Sequence, residues 1–475
     1  MNFLMEAKKY FSGKKVLLLG LGILGGGEAT ANWLLKQGVK LRITDLKKRE
    51  ELLPAIKKIK GKVEYVLGGH KKEDVDWSEI VVLNQDVPMD SEFVKHAFKK
   101  GKDVWSESAI FLTFFKKPVI AITGTRGKTT TVWWTNHFLR AKFKTSIAGN
   151  SRDWQFFKVL PKANRLETAV LELPSFQLEF FNNEVRPPKV AIITNIYRDH
   201  LNRHKTEENY ARVKANIFAG QKADDYLVLN YDDKKTKFLL SLKPKARIYF
   251  FSKKKLPKGK NGIFEDNGEV YFRDGKKEEK IISADKFKKE RGEHNLDNFM
   301  ASSLGAYLMG VSWTDIKKRI WSLPEVKFRQ EEIFKGKGMR VINDTTATSP
   351  EGGIAAIKRF GGEKCVLITG GTDRDLDYKE WAKEVKKKIK PQNLFFLEGS
   401  ATEKMIKALR LKKGEVNVFG SLEDLILTSF GRSCQIKNSV LLFSPASKSF
   451  EKFRNEYDRG EKFNLVVKKI ARRKG

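Results

Sequence analysis

Twice in this chain an apolar, β-branched run breaks on glycines and gives way to a segment with helical spacing. The first instance is KVLLLGLGILGGGEATANWLLK, from residue 15; the second is PVIAITGTRGKTTTVWWTNHFL, from residue 118. A buried strand that turns on glycine into a helix is the first half of a β-α-β unit, since the helix must return over a sheet face before a parallel strand can join. Strand and helix patterns alternate almost to the end, which predicts an α/β fold with mostly parallel sheets. New strand, turn and helix starts divide the 475 residues into three blocks, 1–108, 109–325 and 326–475. Internal repeats and long low-complexity stretches are absent.

Composition narrows the class. With 40% hydrophobic residues the chain can bury large cores. No apolar run approaches the ~20 residues a membrane helix requires, and MNFLMEAKKYFSGKKVLLLGLG lacks a signal peptide's layout, so a cytoplasmic protein with no membrane partner is expected. Two cysteines, Cys365 and Cys434, exclude a disulfide framework or a cysteine metal cluster. The charge of +35 suits a nucleic-acid binder, but the lysines are scattered and interleaved with acids. A solvated basic surface that steers anionic substrates is the expectation, with no nucleic-acid partner.

The first turn, GLGILG, places Gly20, Gly22 and Gly25 in a full G-x-G-x-x-G pattern, and Asp45 follows at the end of KLRITD, where a dinucleotide-binding fold sets its ribose acid. An NAD-dependent oxidoreductase is therefore one reading. Physically the glycines require only a tight turn with backbone amides near a helix N-terminus, which any diphosphate could use, a nucleotide-sugar included. A glycine turn serving packing alone is the plainer reading.

The second turn has different chemistry. In Gly124, Thr125, Arg126, Gly127, Lys128, Thr129 and Thr130 the amides can surround an anion, Lys128 supplies charge to terminal phosphates, and the Thr129 hydroxyl suits Mg²⁺. The loop is shorter than the common phosphate-binding form, because its earlier glycine precedes Gly127 by three residues. An ATP site is the expectation. Downstream, Glu172 ends an apolar strand in TAVLELPSFQLE, where a buried carboxylate calls for a partner such as a metal. VAIITNIYRDHLNRH then runs an apolar strand into Asp199 and His200, one of only six histidines.

In order, GTRGKTT, LELPSFQLE, TNIYRDHLNRH, YARVKANIF, GEHNLDN, FRQEE and INDTTATSP resemble the Mur ligase family of ATP-dependent amide-bond synthetases, and the similarity extends over all three blocks. The resemblance implies a Rossmann-like N-terminal domain for a UDP-sugar, a central ATPase domain built on the phosphate loop, and a Rossmann-like C-terminal domain for an amino acid. It implies closure of these parts before chemistry. ATP would phosphorylate a substrate carboxylate, and an amine would attack the acyl phosphate. The pattern LELPSFQLE, NDTTATS, LITGGTDRDLDY and LLFSPASKSFEKFRNEYDRG implies UDP-N-acetylmuramoyl-L-alanine as acceptor and D-glutamate as the incoming amino acid, with a monomeric enzyme expected. A Mur-type ligase for a different amino acid is the nearest alternative.

By the same resemblance, Lys128, Glu172, His200 and Lys214 are catalytic. Thr129 with Glu172, and His200 with Lys214, would hold two Mg²⁺ ions, Lys214 as a carbamate. Asn298, Arg329 and Asp344 would contact the nucleotide. Asn150, Thr348, Arg374 and Ser449 would contact the substrates, and GLGILG would cradle the UDP diphosphate with Ile23, Leu24, Leu46 and Lys47 on the uracil side. The chain departs from the family pattern at Arg126, Asn202, Phe328, Thr346, Arg374 and Glu456, the last beside Tyr457.

Overall fold

The computed structural model describes residues 3–23, 25–149, 154–181, 185–412 and 416–473, and it is an α/β protein with three mostly parallel sheets. It divides into two compact units, Met1–Pro324 and Glu325–Gly475. The first unit carries two sheets. Strands β1 (Lys15–Leu19), β2 (Lys40–Asp45), β3 (Val63–Leu67), β4 (Ile80–Leu83) and β5 (Asp103–Ser106) form an all-parallel sheet in the order β3-β2-β1-β4-β5. The order reverses between β1 and β4, so the crevice beyond their carboxyl ends is where such a sheet binds ligands.

The second sheet is built from β6 (Val119–Thr123), β7 (Thr145–Gly149), β8 (Thr168–Glu172), β9 (Val190–Ile193), β10 (Tyr226–Asn230), β11 (Arg247–Ser252), β12 (Gly262–Asp266), β13 (Glu269–Asp274) and β14 (Lys277–Ser283). Its order is β14-β13-β12-β11-β10-β9-β6-β8-β7; β7 to β12 are parallel and the last two strands form an antiparallel margin. β6, β8 and β9 are buried along their whole length, as expected of strands with helices on both faces. An apolar cluster including Phe11, Trp33, Phe111 and Phe156 runs from the first sheet into the second. The boundary expected at 108/109 falls in the helix Glu107–Phe114, which buries Ala109, Ile110, Phe111, Leu112 and Phe114 in that cluster.

The second unit holds a six-stranded sheet. Its strands are β15 (Glu331–Gly336), β16 (Met339–Asn343), β17 (Cys365–Gly370), β18 (Leu394–Leu397), β19 (Asn417–Phe419) and β20 (Ser439–Phe443). They lie in the order β15-β16-β20-β17-β18-β19, parallel except for β15. Among the described residues no helix is long and apolar enough to cross a membrane.

Candidate active site

Strand β6 ends under the phosphate loop, and the helix Lys128–Leu139 starts directly after it. Gly124 has φ 145° and Gly127 φ 81°, both in the left-handed region that favours glycine. A Cβ on Gly124 would lie 1.9 Å from Thr194 Oγ1, and one on Gly127 would lie 2.3 Å from Asn298 Oδ1. The loop is thus clasped from both sides. Thr194 Oγ1 and Asn195 Nδ2, just past β9, donate to the Arg126 carbonyl at 2.7 and 3.1 Å, and Asn195 Oδ1 accepts from Arg126 N–H at 2.8 Å. Asn298 accepts from the Thr131 hydroxyl at 3.3 Å and donates to Asn295 Oδ1 at 3.0 Å. Lys128 Nζ donates to the carbonyls of Gly124 and Thr125 at 2.9 and 3.2 Å.

Glu172, buried at the end of β8, accepts from the Thr129 hydroxyl at 3.2 Å. Gly149, at the end of β7, permits this crowding, since a Cβ there would lie 2.3 Å from the Glu172 carbonyl. The hydroxyl and carboxylate are hard oxygen donors of the kind Mg²⁺ takes, so this pair fits the ion. Arg126 reaches Asp199 Oδ2 at 3.3 Å. His200 carries φ 52°, sits edge-on to Phe176 with ring centroids 6.0 Å apart, and has a centroid 6.3 Å from that of Tyr210.

Lys214 lies on the helix Glu207–Ala215 and is 1% exposed. Its Nζ donates to the Gly124 carbonyl at 3.0 Å and to Thr123 Oγ1 at 3.4 Å, 4.5 Å above the Tyr210 ring. Among the described residues no carboxylate forms an ion pair with it. Desolvation first, then the Lys128 charge, holds its pKa well below the ordinary lysine value, against a smaller opposing pull from Asp199. As an amine it does not fit a cation, and His200 and Lys214 suit a metal only if the lysine gains carboxylate oxygens. Among the described residues no group of three His, Cys, Asp or Glu could hold a metal by itself.

At the first sheet the turn after β1 is braced differently. Asp45 Oδ2 accepts from the amides of Leu21 and Gly22 at 2.8 and 2.9 Å, and Oδ1 accepts from Lys47 N–H at 2.8 Å. The acid placed by sequence as a ribose contact therefore engages the turn itself. Gly25 caps the helix Gly26–Lys36 with φ 94°. Ile23 and Leu46 are exposed, as is Lys47, which follows Leu46 in the chain. Leu24 and Asn150 lie outside the described residues.

In the second unit Asp344 follows β16, buried, accepting from the Ser444 hydroxyl at 2.8 Å and the Gln330 amide at 3.1 Å. Burial raises its pKa to about 7, against the pull of those bonds and of Arg329 and Arg359. Loops after β17 and β20 pair through Thr372 and Lys448, which brings Arg374 and Ser449 to one edge of the sheet. Lys448 Nζ reaches the Thr348 hydroxyl at 3.3 Å, and the Arg374 guanidinium lies 5.0 Å from the Phe450 ring centroid. Ser449 Oγ is buried and has no hydrogen-bond partner among the described residues, a polar atom that a ligand could satisfy. Two departures from the family pattern meet here, since Thr346 gives both its N–H and its hydroxyl to the Phe328 carbonyl, at 3.2 and 2.7 Å.

Sequence reasoning missed Thr194 and Asn195, visible only as TN after a strand, and Arg459. This arginine is fully buried and donates to Thr345 Oγ1, to the Thr345 and Ser447 carbonyls and to the Lys448 carbonyl, at 2.8 to 3.1 Å. It binds together the segments that bear Thr348 and Ser449. Desolvation lowers its pKa to about 9. YDRG in the sequence gives no sign of that burial.

Three parallel-type sheets, a phosphate loop with a hydroxyl and carboxylate beside it, and a glycine turn at a second switch point define a nucleotide-dependent α/β enzyme. Residues 122–306 match the Mur ligase middle domain and residues 14–106 match the Mur ligase MurD-like N-terminal domain. A UDP-N-acetylmuramoylalanine--D-glutamate ligase from Roseiflexus sp. is 34% identical over 467 residues, covering 97% of this chain and 99% of that one. One from Caldanaerobacter subterraneus is 34% identical over 473 residues, covering 98% and 100%. The chain belongs to the Mur ligase family. Solved structures agree in fold: the UDP-N-acetylmuramate-alanine ligase MurC of Thermotoga maritima (TM-score 0.58, 18% identity, 96% of this chain and 99% of that one) and the MurF ligase of the same organism in complex with ADP (0.55, 17%, 98% and 97%).

Proposed function

We propose that this chain is an ATP-dependent ligase that joins D-glutamate to UDP-N-acetylmuramoyl-L-alanine through an acyl phosphate, as a cytoplasmic monomer in peptidoglycan precursor synthesis. The substrates come from the names of relatives that align over nearly the whole chain. The observation that carries the chemistry is the Thr129–Glu172 pair at 3.2 Å, next in sequence to the Lys128 ammonium at the mouth of the loop. A carboxylate repels nucleophiles and has no adequate leaving group, and phosphorylation supplies one. Lys128 would turn from the Gly124 and Thr125 carbonyls to oxygens of the transferred phosphate, and the loop amides would bind the remainder. Two Mg²⁺ ions, one on Thr129 and Glu172 and one on His200 and a carbamylated Lys214, would offset the negative charge that gathers there.

Lys214 supports its own part in this reading, because a buried amine that sheds its proton has the lone pair needed to add CO₂. Residues 1–108 would take the UDP-sugar on Gly20, Gly22, Ile23, Leu24, Gly25, Asp45 and Lys47, with Asn150 contacting the same substrate from the middle domain. Residues 109–325 would take ATP, with Asn298 beside the loop, and Arg329 and Asp344 are further candidates for nucleotide contact. Residues 326–475 would grip D-glutamate through Thr348, Arg374 and the unpartnered Ser449 hydroxyl. The oxidoreductase reading of GLGILG gives way, because the relatives that align over nearly the whole chain are named as ligases.

A phosphate-release assay with UDP-N-acetylmuramoyl-L-alanine and a panel of D- and L-amino acids tests this, with turnover expected for D-glutamate. Thr346 and Glu456, which depart from the family pattern, favour one alternative, a Mur-type ligase for another amino acid. Silence with D-glutamate and turnover with a different amino acid would establish that alternative.

A further inference from the structure

We infer that Arg203 is a positioning residue that ties the glycine turn of the first sheet to the His200 turn of the second, and so fixes the acceptor substrate relative to the phosphate loop. The inference rests on the reading that the first turn takes the UDP diphosphate. The wall of that turn is the loop after β4. A Cβ on Gly20 would lie 3.0 Å from Asn84 Cβ and 3.3 Å from Val87 Cγ2, and Asn84 Nδ2 donates to the Leu21 carbonyl at 3.4 Å. Any shift of residues 84–87 therefore moves the turn.

Arg203 holds this loop. Nη1 donates to the carbonyls of Gln85 and Asp86 at 3.2 and 3.4 Å, and Nη2 donates to that of Val87 at 3.2 Å. The same guanidinium forks onto Glu179, with Nε to Oε1 and Nη2 to Oε2 both at 2.8 Å. Gln177 adds a second tie, donating from Nε2 to Gln85 Oε1 at 3.1 Å. The Arg203 and Glu179 side chains are only 17% and 11% exposed, so the pair is shielded from the solvent screening that weakens surface bridges.

On its other side Arg203 faces the His200 turn. Its guanidinium lies 5.6 Å from the Phe176 ring centroid, and that ring stands edge-on to His200. His204, one residue on, contacts Glu179 Oε1 at 3.6 Å and Ser175 Oγ at 2.9 Å. His200 holds a left-handed φ of 52°, a conformation a bulky residue keeps only when its surroundings enforce it. One side chain thus braces both turns. A lysine could not replace it, because a single ammonium cannot address a carboxylate fork and three carbonyls together.

The test uses the full chain and three variants, Arg203→Lys, Arg203→Ala and Glu179→Gln, with UDP and ADP binding measured by calorimetry beside thermal unfolding. In Arg203→Lys and Glu179→Gln the Kd for UDP should rise about tenfold while that for ADP changes by less than about twofold, since the hydrogen-bond partners of Arg203 among the described residues are Glu179 and the loop after β4, with none in the phosphate loop. With UDP-N-acetylmuramoyl-L-alanine, kcat should fall as well as KM rise, because the acceptor carboxylate loses its alignment. Glu179→Gln keeps the side-chain shape and carries the comparison if Arg203→Ala does not fold. A folded variant that binds UDP as tightly as the wild type, or loses UDP and ADP affinity in equal measure, overturns the inference. A wild type that does not bind UDP sinks the reading of the turn together with it.

Discussion

The turn after β1 and the loop after β6 each carry the chain over the carboxyl edge of a parallel sheet into a helix, yet the groups that brace them differ in sign. At the first, the Asp45 carboxylate takes the amides of Leu21 and Gly22. At the second, Thr194, Asn195 and Lys128 donate to loop carbonyls, and a buried amine, Lys214, lies beneath. At both turns some amides are taken, those of Leu21 and Gly22 by the Asp45 carboxylate and those of Thr125 and Arg126 by neutral oxygens of Asn195, and the second loop adds the Lys128 ammonium. The shared glycine pattern fixes the path of the backbone, and the braces decide which phosphates it suits. On the proposed reading the first turn takes a diphosphate that stays bound, and the second takes a phosphate that is transferred.

The largest expected effect lies beneath the second loop. Lys214→Ala should lower turnover by about a thousandfold or more, since several groups there act as a unit. Short carboxylic acids should restore part of the rate by supplying the missing oxygens, and phosphate release with and without them is the measurement. Full activity in the variant would remove Lys214 from the site. Next comes Gly124→Ala, whose Cβ would meet Thr194 Oγ1 at 1.9 Å on a backbone with φ 145°. The loop must shift, and a displacement near 1 Å costs on the order of a hundredfold in rate. Wild-type kinetics in that variant would show that the clasp from Thr194 is not needed.

At the first turn the effects should be smaller. Asp45→Asn keeps the shape but replaces charged acceptors by neutral ones and faces one amide with an NH₂ group, a cost of roughly 1–3 kcal/mol. It should raise the KM for the UDP-sugar and leave that for ATP unchanged. Equal shifts in both constants would break the distinction between the turns. Gly22→Ala should cost only about 1 kcal/mol, because φ is 63° and the nearest atom to the new Cβ, Asn84 Nδ2, is 3.6 Å away. Urea unfolding measures it.

How much of this was legible in the sequence follows from the range of each signal. The three sheets and both turns come from patterns a few residues long, apolar runs broken by glycine, and local chemistry determines them. Thr129 and Glu172 were paired by resemblance, and the structure sets them 3.2 Å apart. What stayed hidden depends on distant partners. Arg203 and Arg459 look like any of 93 basic residues until folding sets them against carbonyls from remote loops. The unity of the first two sheets was also invisible, because the helix Glu107–Phe114 reads as an ordinary connection and only its burial shows that it belongs to a common core.

The last contrast concerns titration beneath the two helices. Where Lys214 is a base pushed down, Glu107 is an acid pushed up, chiefly by desolvation, although the Thr30 hydroxyl donates to it and opposes the shift. It sits below the first turn, its Oε1 3.6 Å from where a Cβ on Gly26 would be. In the unfolded chain this carboxyl loses its proton near the ordinary glutamate value, and in the folded chain it keeps the proton to higher pH. The unfolded state thus binds fewer protons across that interval, and wild-type stability falls as pH rises through it. Glu107→Gln keeps an acceptor for Thr30 but cannot ionise, so it should lack this part of the slope. Urea unfolding at several values from pH 4.5 to 8 should show the variant gaining on the wild type as pH increases. Parallel curves would mean that Glu107 ionises in the folded protein as it does in water, and the symmetry between the two buried groups would be lost.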